Sequence, residues 1–176
     1  METQRTDIAI LGGGLAGSLI ALALTQARPE LSLRLIERGQ RLGGNHVWSF
    51  FATDIAPQSR ALVEPLIAAR WDEGYDVHFP AHSRRLNAAY RSITSETLDA
   101  HVRAALSEGA LLTNASVAEV RSDGFTLADG RTFAAGAVID ARGAASLPHM
   151  AGGRRGFSGP MPTLRGPPGV PRPRGG

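Results

Sequence analysis

Four apolar residues follow Asp7, from Ile8 to Leu11, and the run stops at three consecutive glycines. A short apolar run bounded by turn residues is the pattern of a strand buried on both faces of a parallel sheet. Beyond Gly12-Gly13-Gly14, apolar positions return at Leu15, Leu19, Ile20, Leu22, Ala23 and Leu24, close to helical spacing. A helix therefore opens at the glycines and ends near Ala27, ahead of Pro29. Leu31, Leu33, Leu35 and Ile36 then predict a second strand that ends at Glu37.

Later in the chain the pattern is shorter-ranged. Residues 57–69 place Leu62, Val63, Leu66 and Ile67 on one side of an expected amphipathic helix. Residues 71–85 mix aromatic and charged positions without a clear period. Residues 95–106 predict a helix with Thr94 as N-cap, a stripe of Leu98, Val102 and Leu106, and Gly109 closing it. Three short strands are expected at 116–121, 124–127 and 131–133, with Ser122-Asp123-Gly124 and Ala128-Asp129-Gly130 as turns. Ala137-Val-Ile-Asp140 reads as one more buried strand, running into Ala141-Arg142-Gly143.

Strand, glycine turn, helix and strand together frame a dinucleotide fingerprint, Gly12-x-Gly14-x-x-Gly17. Gly12 permits the tight turn, and Gly14 lets the backbone approach a pyrophosphate. Gly17 lets the helix pack closely on the strand, with its N-terminus facing the phosphate charge. Glu37 lies 20 residues past Gly17, where such folds place the acid that binds ribose hydroxyls. Its charge disfavours a 2′-phosphate and hence NADP. A second glycine pair, Gly43-Gly44 with Asn45 and His46, follows the acid and resembles the flavoprotein oxidase and hydroxylase group, which favours FAD over NAD. The candidate cofactor-binding residues are thus Leu11, Gly12, Gly13, Gly14, Leu15, Ala16, Gly17, Glu37, Arg38, Gly43, Gly44, Asn45 and His46. A competing reading exists for residues 8–24: 17 uncharged positions after Arg5 could be a signal peptide or a short membrane anchor. The glycine triplet and the strand that follows at once speak against it.

Composition narrows the chemistry. The chain has no cysteine, which excludes disulfides, thiolate metal sites and cysteine nucleophiles. His78 and His82 have i, i+4 spacing, but Pro80 between them argues against a helical metal pair, and no metal site is expected. No two acids pair in a way that suggests acid–base work, so no catalytic residue is assigned. Asp140 and Arg142 read equally as a local ion pair at a strand end and as part of a turn near the cofactor. With 43% apolar and 20% charged residues the chain is globular, yet its net charge of +3 invites an anionic partner. That charge is localised. Residues 1–150 carry 14 arginines against 16 acids, whereas 151–176 carry five arginines and no acid among eight glycines and six prolines. The expected organisation is a partial nucleotide-binding domain over 1–150 and a disordered Gly/Pro/Arg-rich tail over 151–176. The tail is either a nucleic-acid or lipid-binding arm or an out-of-frame translation of a GC-rich gene. With Phe157 alone available for stacking, the second is favoured.

The residues also carry a family resemblance. Leu11-Gly-Gly-Gly-Leu-Ala-Gly17 is shared by many flavoproteins. Gly43-Gly-Asn-His-Val-Trp-Ser-Phe50, followed by Arg85-Leu-Asn-Ala-Ala-Tyr90 and Ile93-Thr-Ser95, is more specific, and Ala137-Val-Ile-Asp-Ala-Arg-Gly143 continues the match. Together they resemble the bacterial lycopene β-cyclases of carotenoid biosynthesis, over about residues 5–150. The resemblance implies an α/β, Rossmann-like FAD/NAD(P)-binding fold with a parallel sheet and a β-meander, here incomplete. It implies acid-catalysed cyclisation of the ψ-ends of lycopene to β-ionone rings, through γ-carotene to β-carotene, with reduced FAD and NAD(P)H as reductant. Lycopene and other carotenoids would be the partners, at the membrane surface on the cytoplasmic side, and nucleic acid would not. The family's catalytic carboxylate and closing FAD motif lie in a second half with no counterpart here, so little or no activity is expected of this chain. Two alternatives remain: a fragment of another FAD-dependent monooxygenase or oxidase, and a nucleotide-binding module with a nucleic-acid-binding tail.

Overall fold

The computed structural model describes residues 5–143. The expected boundary near residue 150 and the character of residues 151–176 lie outside them. β1 (Arg5–Leu11) runs into the glycine turn, α1 (Leu15–Ala27) returns, and β2 (Leu33–Ile36) leads to Glu37. Ala9, Ile10 and Leu11 are fully buried. Because strand side chains alternate between faces, Ile10 joins Ala21 and Leu22 of α1 on one side of the sheet. Ala9 and Leu11 join Phe125, Leu127 and Phe133 on the other. Burial on both faces is why this run is apolar throughout. The uncharged stretch at 8–24, which a membrane anchor could also have produced, is thus divided between a buried strand and a helix. No helix among the described residues is long and apolar enough to cross a membrane.

β3 (Val47–Phe51) begins a second layer, followed by α2 (Arg60–Val63) and the strands β4 (Ala69–Trp71), β5 (Tyr75–Phe79), β6 (His82–Leu86) and β7 (Tyr90–Thr94). β3, β7 and β4 form an antiparallel three-stranded sheet, and β5 with β6 forms a hairpin. The helix expected over 57–69 is a correction. Those residues form a 3₁₀ turn at Pro57–Ser59, the single α-turn of α2, and a second 3₁₀ turn at Glu64–Leu66, before β4 begins at Ala69. Pro65 cannot donate to a continuing helix, and Ala69 and Trp71 pair with β7 instead. Leu62, Val63 and Leu66 still pack into the core, so the apolar pattern reported burial correctly and periodicity incorrectly. In the hairpin, the His78 ring shares a hydrogen bond with Ser83 Oγ (2.9 Å), and no group of three potential metal ligands occurs among the described residues.

α3 (Ser95–Ala105) starts where Thr94 Oγ1 accepts the Thr97 N–H, and it buries Leu98 and Val102. β8 (Leu111–Leu112), β9 (Val117–Arg121), β10 (Gly124–Leu127) and β11 (Thr132–Asp140) complete the main sheet. Its order is β8-β2-β1-β11-β10-β9, parallel from β8 to β11 and antiparallel beyond. The strands expected at 131–133 and 137–140 are one continuous strand. Gly136, which breaks the apolar pattern, lies against the Asp7 carbonyl of β1, where a side chain would intrude. β11 therefore serves twice, pairing with β10 through its start and with β1 through its length.

Two contacts hold β1 in register. A Cβ on Gly17 would collide with the Gly12 carbonyl oxygen, so α1 crosses the strand end at backbone distance. At the other end, Asp7 Oδ2 accepts the Ser32 N–H (2.8 Å) and hydroxyl (2.6 Å), while the Asp7 N–H donates to Ser32 Oγ (2.8 Å). Helix propensity alone makes Gly17→Ala stabilising by about 1 kcal/mol. The backbone collision reverses the sign, and a net loss of about 1–3 kcal/mol is expected in chemical denaturation. A neutral or stabilised variant would refute the packing argument. The Ser32 hydrogen bonds hold the Asp7 carboxyl below the ordinary carboxylate range. A depressed folded-state pKa contributes stability above the unfolded value and loses it as pH falls through the folded one. The stability gap between wild type and Asp7→Asn should be constant near neutral pH and close in acid; a gap that is flat throughout contradicts the linkage.

Candidate functional site

The carboxyl ends of β1, β2 and β11 open onto a groove of about 650 Å³. β2 and β11 flank β1 on opposite sides, the place where open parallel sheets bind ligands. Gly12 makes the turn out of β1 with φ +105°, donates its N–H to the Ile36 carbonyl (2.7 Å), and lies against the Ala141 backbone. Gly14 is the N-cap of α1, and a Cβ there would meet nothing within 4 Å. The helix start has no side-chain cap and no acid in its first turn. Its leading N–H groups, at Leu15 and Ala16 on the groove wall, therefore lack an intrahelical acceptor and concentrate positive potential there.

Glu37 is held before any ligand arrives. Its Oε2 accepts the Gly13 N–H (2.8 Å) and its Oε1 accepts the Gly39 N–H (2.7 Å). Each oxygen keeps a further lone pair for a donor in the groove. Arg38 and Arg41 are exposed on the rim. Across the groove, Arg142 grips Asp140 through Nε (2.8 Å) and Nη2 (2.6 Å), which holds the Asp140 carboxyl below its ordinary range and raises Arg142. The pair is a local ion pair at the strand end, and Arg142 also lines the groove.

The second glycine loop closes the far wall. The Gly43 N–H donates to the Gly13 carbonyl (2.8 Å), tying the two glycine motifs together. His46 Nδ1 donates to the Gly43 carbonyl (2.9 Å), and its ring stacks on Trp48 with centroids 5.7 Å apart and planes 13° from parallel. The Ser95 N–H at the start of α3 then fixes the His46 carbonyl (3.0 Å).

Of the residues singled out from sequence, Gly12, Gly14, Leu15, Ala16, Glu37, Arg38, Gly43, Gly44 and His46 line the groove. Leu11, Gly13 and Gly17 stand behind it: Leu11 is core, Gly13 anchors Glu37, and Gly17 seats the helix. Asn45 is exposed and does not line it. The structure adds Arg41, Trp48, Ser116 and Val117, with Ala141, Arg142 and Gly143. Trp48 was visible within the Gly43–Phe50 stretch, whereas Ser116 and Val117 arrive only because β9 begins beside Glu37.

A family profile described as lycopene cyclase protein matches residues 7–165. The lycopene beta-cyclase of Pseudescherichia vulneris is 44% identical over 164 residues, covering 93% of this chain and 42% of that protein. The lycopene beta-cyclase of Pantoea ananas is 36% identical over 167 residues, covering 95% of this chain and 43% of its own length. The chain thus spans less than half the length of these curated relatives. Among solved structures, the rebeccamycin biosynthetic enzyme RebC with reduced flavin superposes with a TM-score of 0.61 at 19% identity, over 83% of this chain and 34% of RebC. A 2-methyl-3-hydroxypyridine-5-carboxylic acid oxygenase superposes with a TM-score of 0.59 at 22% identity, over 82% of this chain and 40% of the oxygenase. At such identities these two speak for the fold alone, a Rossmann-like α/β architecture seen in FAD-dependent oxygenases. A profile match across most of the sequence, with relatives that align along nearly all of it, leaves one conclusion: the chain belongs to the lycopene cyclase protein family.

Proposed function

We propose that this chain forms the FAD-holding part of a lycopene β-cyclase. The observation that carries the reading is the convergence, on one groove, of an uncapped helix start, an anchored carboxylate and the Gly43–Trp48 wall. These residues fit a dinucleotide. The open space at Gly14 and the leading N–H groups of α1 suit a pyrophosphate, which Arg38 and Arg41 on the rim would help neutralise. Glu37, with lone pairs to spare, suits two ribose hydroxyls and repels a 2′-phosphate. Gly43, Gly44, His46 and Trp48 offer a flat, partly aromatic wall for the rest of FAD.

The reaction in this reading is an isomerisation. An end-group alkene of lycopene is protonated, the neighbouring double bond attacks the cation, and loss of a proton leaves a β-ring. Repeating it at the other end takes γ-carotene to β-carotene. FAD, kept reduced by NAD(P)H, supplies negative charge beside that cation when bound. Glu37, which lines the groove, is committed to backbone donors, and Asp140 behind the groove-lining Arg142 is committed to that guanidinium, so we assign the proton donor to no residue within 5–143. A hydrocarbon substrate places the protein at the cytoplasmic surface of a membrane, as a peripheral protein without contact to nucleic acid.

Two experiments bear on this. Titration with FAD, followed by flavin fluorescence, should show saturable binding that Glu37→Gln weakens about tenfold, the value of a charge-assisted hydrogen bond. Binding indifferent to Glu37 removes the ribose assignment. In a lycopene-accumulating host, expression of this chain alone should leave lycopene unconverted. Appearance of β-carotene would show that residues of this chain donate the proton, and a hydroxylated product would favour the monooxygenase alternative.

A further inference from the structure

We infer that Asp99 and Arg103 of α3 are positioning residues for the cofactor groove, clamping the loop of residues 38–44 in the shape that receives the flavin end of FAD. The inference rests on the cofactor reading above and concerns side chains outside the groove. Asp99 Oδ1 accepts the Leu42 N–H at 2.8 Å, across 57 residues of sequence. Both Asp99 oxygens also accept from Arg103 Nε at 3.0 Å, and Arg103 Nη2 reaches on to the Gln40 carbonyl at 2.8 Å. One ion pair on a single helical face therefore satisfies a donor and an acceptor of the same loop.

An i, i+4 ion pair on a helix is ordinarily a surface ornament worth a few tenths of a kcal/mol. Two features set this one apart. The Asp99 side chain is only 16% exposed, and Leu42, whose amide it holds, is fully buried. Residues 38–44 belong to no strand, so no sheet ladder can take over the Leu42 N–H if Asp99 is lost. Leu42 in turn fills the space where Gly13 would carry a side chain, and the next residue, Gly43, bonds to the Gly13 carbonyl. A line of contacts thus runs from α3 through Leu42 to the first glycine motif, with Gly43 and Gly44 set on the groove wall by it. α3 follows directly from β7, the middle strand of the second sheet, so the same helix ties that sheet to the cofactor loop.

Because the clamp sets the 42–48 side, which FAD would touch and ADP would not, its loss should cost FAD more than ADP, which engages Glu37, the start of α1 and the rim arginines. The full chain would be titrated with each ligand by isothermal titration calorimetry. Asp99→Ala is expected to weaken FAD about tenfold or more while weakening ADP by a distinctly smaller factor. Asp99→Asn keeps an oxygen for the Leu42 N–H but loses the charge pair, so it should fall between wild type and Asp99→Ala; Arg103→Ala should lose less than Asp99→Ala. Unchanged FAD affinity in all three variants overturns the inference. So does a parallel loss of ADP and FAD, which would make Asp99 a general stabiliser of the fold. A wild-type chain that binds ADP but not FAD, or neither, sinks the cofactor reading and this inference with it.

Discussion

The approach of α1 to the end of β1, with Gly17 against the Gly12 carbonyl, is the constraint from which the rest of the groove follows. A helix seated one methyl group further out would no longer aim its first turn into the space between β2 and β11. It would also draw Gly13 away from Glu37 and from the Gly43 amide. That contact is steric before it is electrostatic, yet the electrostatics depend on it. Only at this distance does the uncapped helix start stand beside the ends of three parallel strands.

Around that contact the groove is built mainly by backbone hydrogen bonding. Glu37 spends its carboxylate on two amides, the second glycine loop bonds back to the first, and Ser95 fixes the loop's exit. The outcome is a cleft whose charged groups are oriented in advance: Glu37 at one end, Arg38 and Arg41 on the rim, and Arg142 restrained by Asp140 opposite. Little reorganisation is left for a ligand to impose. The second sheet gives the groove Trp48 of β3, and its hairpin stands apart from this work. Their cluster of Phe51, Tyr75 and Tyr90 packs the hairpin against β3 and β7, and α3 connects them to the groove.

The first forty-six residues were legible because each structural demand there falls on a residue type that few others can replace. Positive φ and backbone contact require glycine, and double-sided burial requires an unbroken apolar run. Residues 57–69 were misread as a helix because burial of Leu62, Val63 and Leu66 mimics helical spacing while Pro65 and the pairing of β4 with β7 decide otherwise. β11 was split in two because Gly136 looks like a break until β1 is laid beside it. β3 and β7 escaped notice as strands since they bury residues unevenly and take their order from each other.

Sequence alone determined the strand–glycine turn–helix–strand unit, the family and the location of the net positive charge beyond residue 150. Each is written in local residue type or in spacing along the chain. Only the tertiary structure decided which groups share the groove. Arg142 reaches it because β11 ends beside β1, and Ser116 and Val117 because the Ala115 N–H donates to the Glu37 carbonyl (2.9 Å), however far apart these residues lie in sequence. Asp99 and Arg103 showed the ordinary signature of a helical ion pair. Their hold on Leu42 and Gln40 appears only when α3 packs beside the loop, since a backbone amide offers the same donor whatever residue carries it and leaves no trace in the sequence.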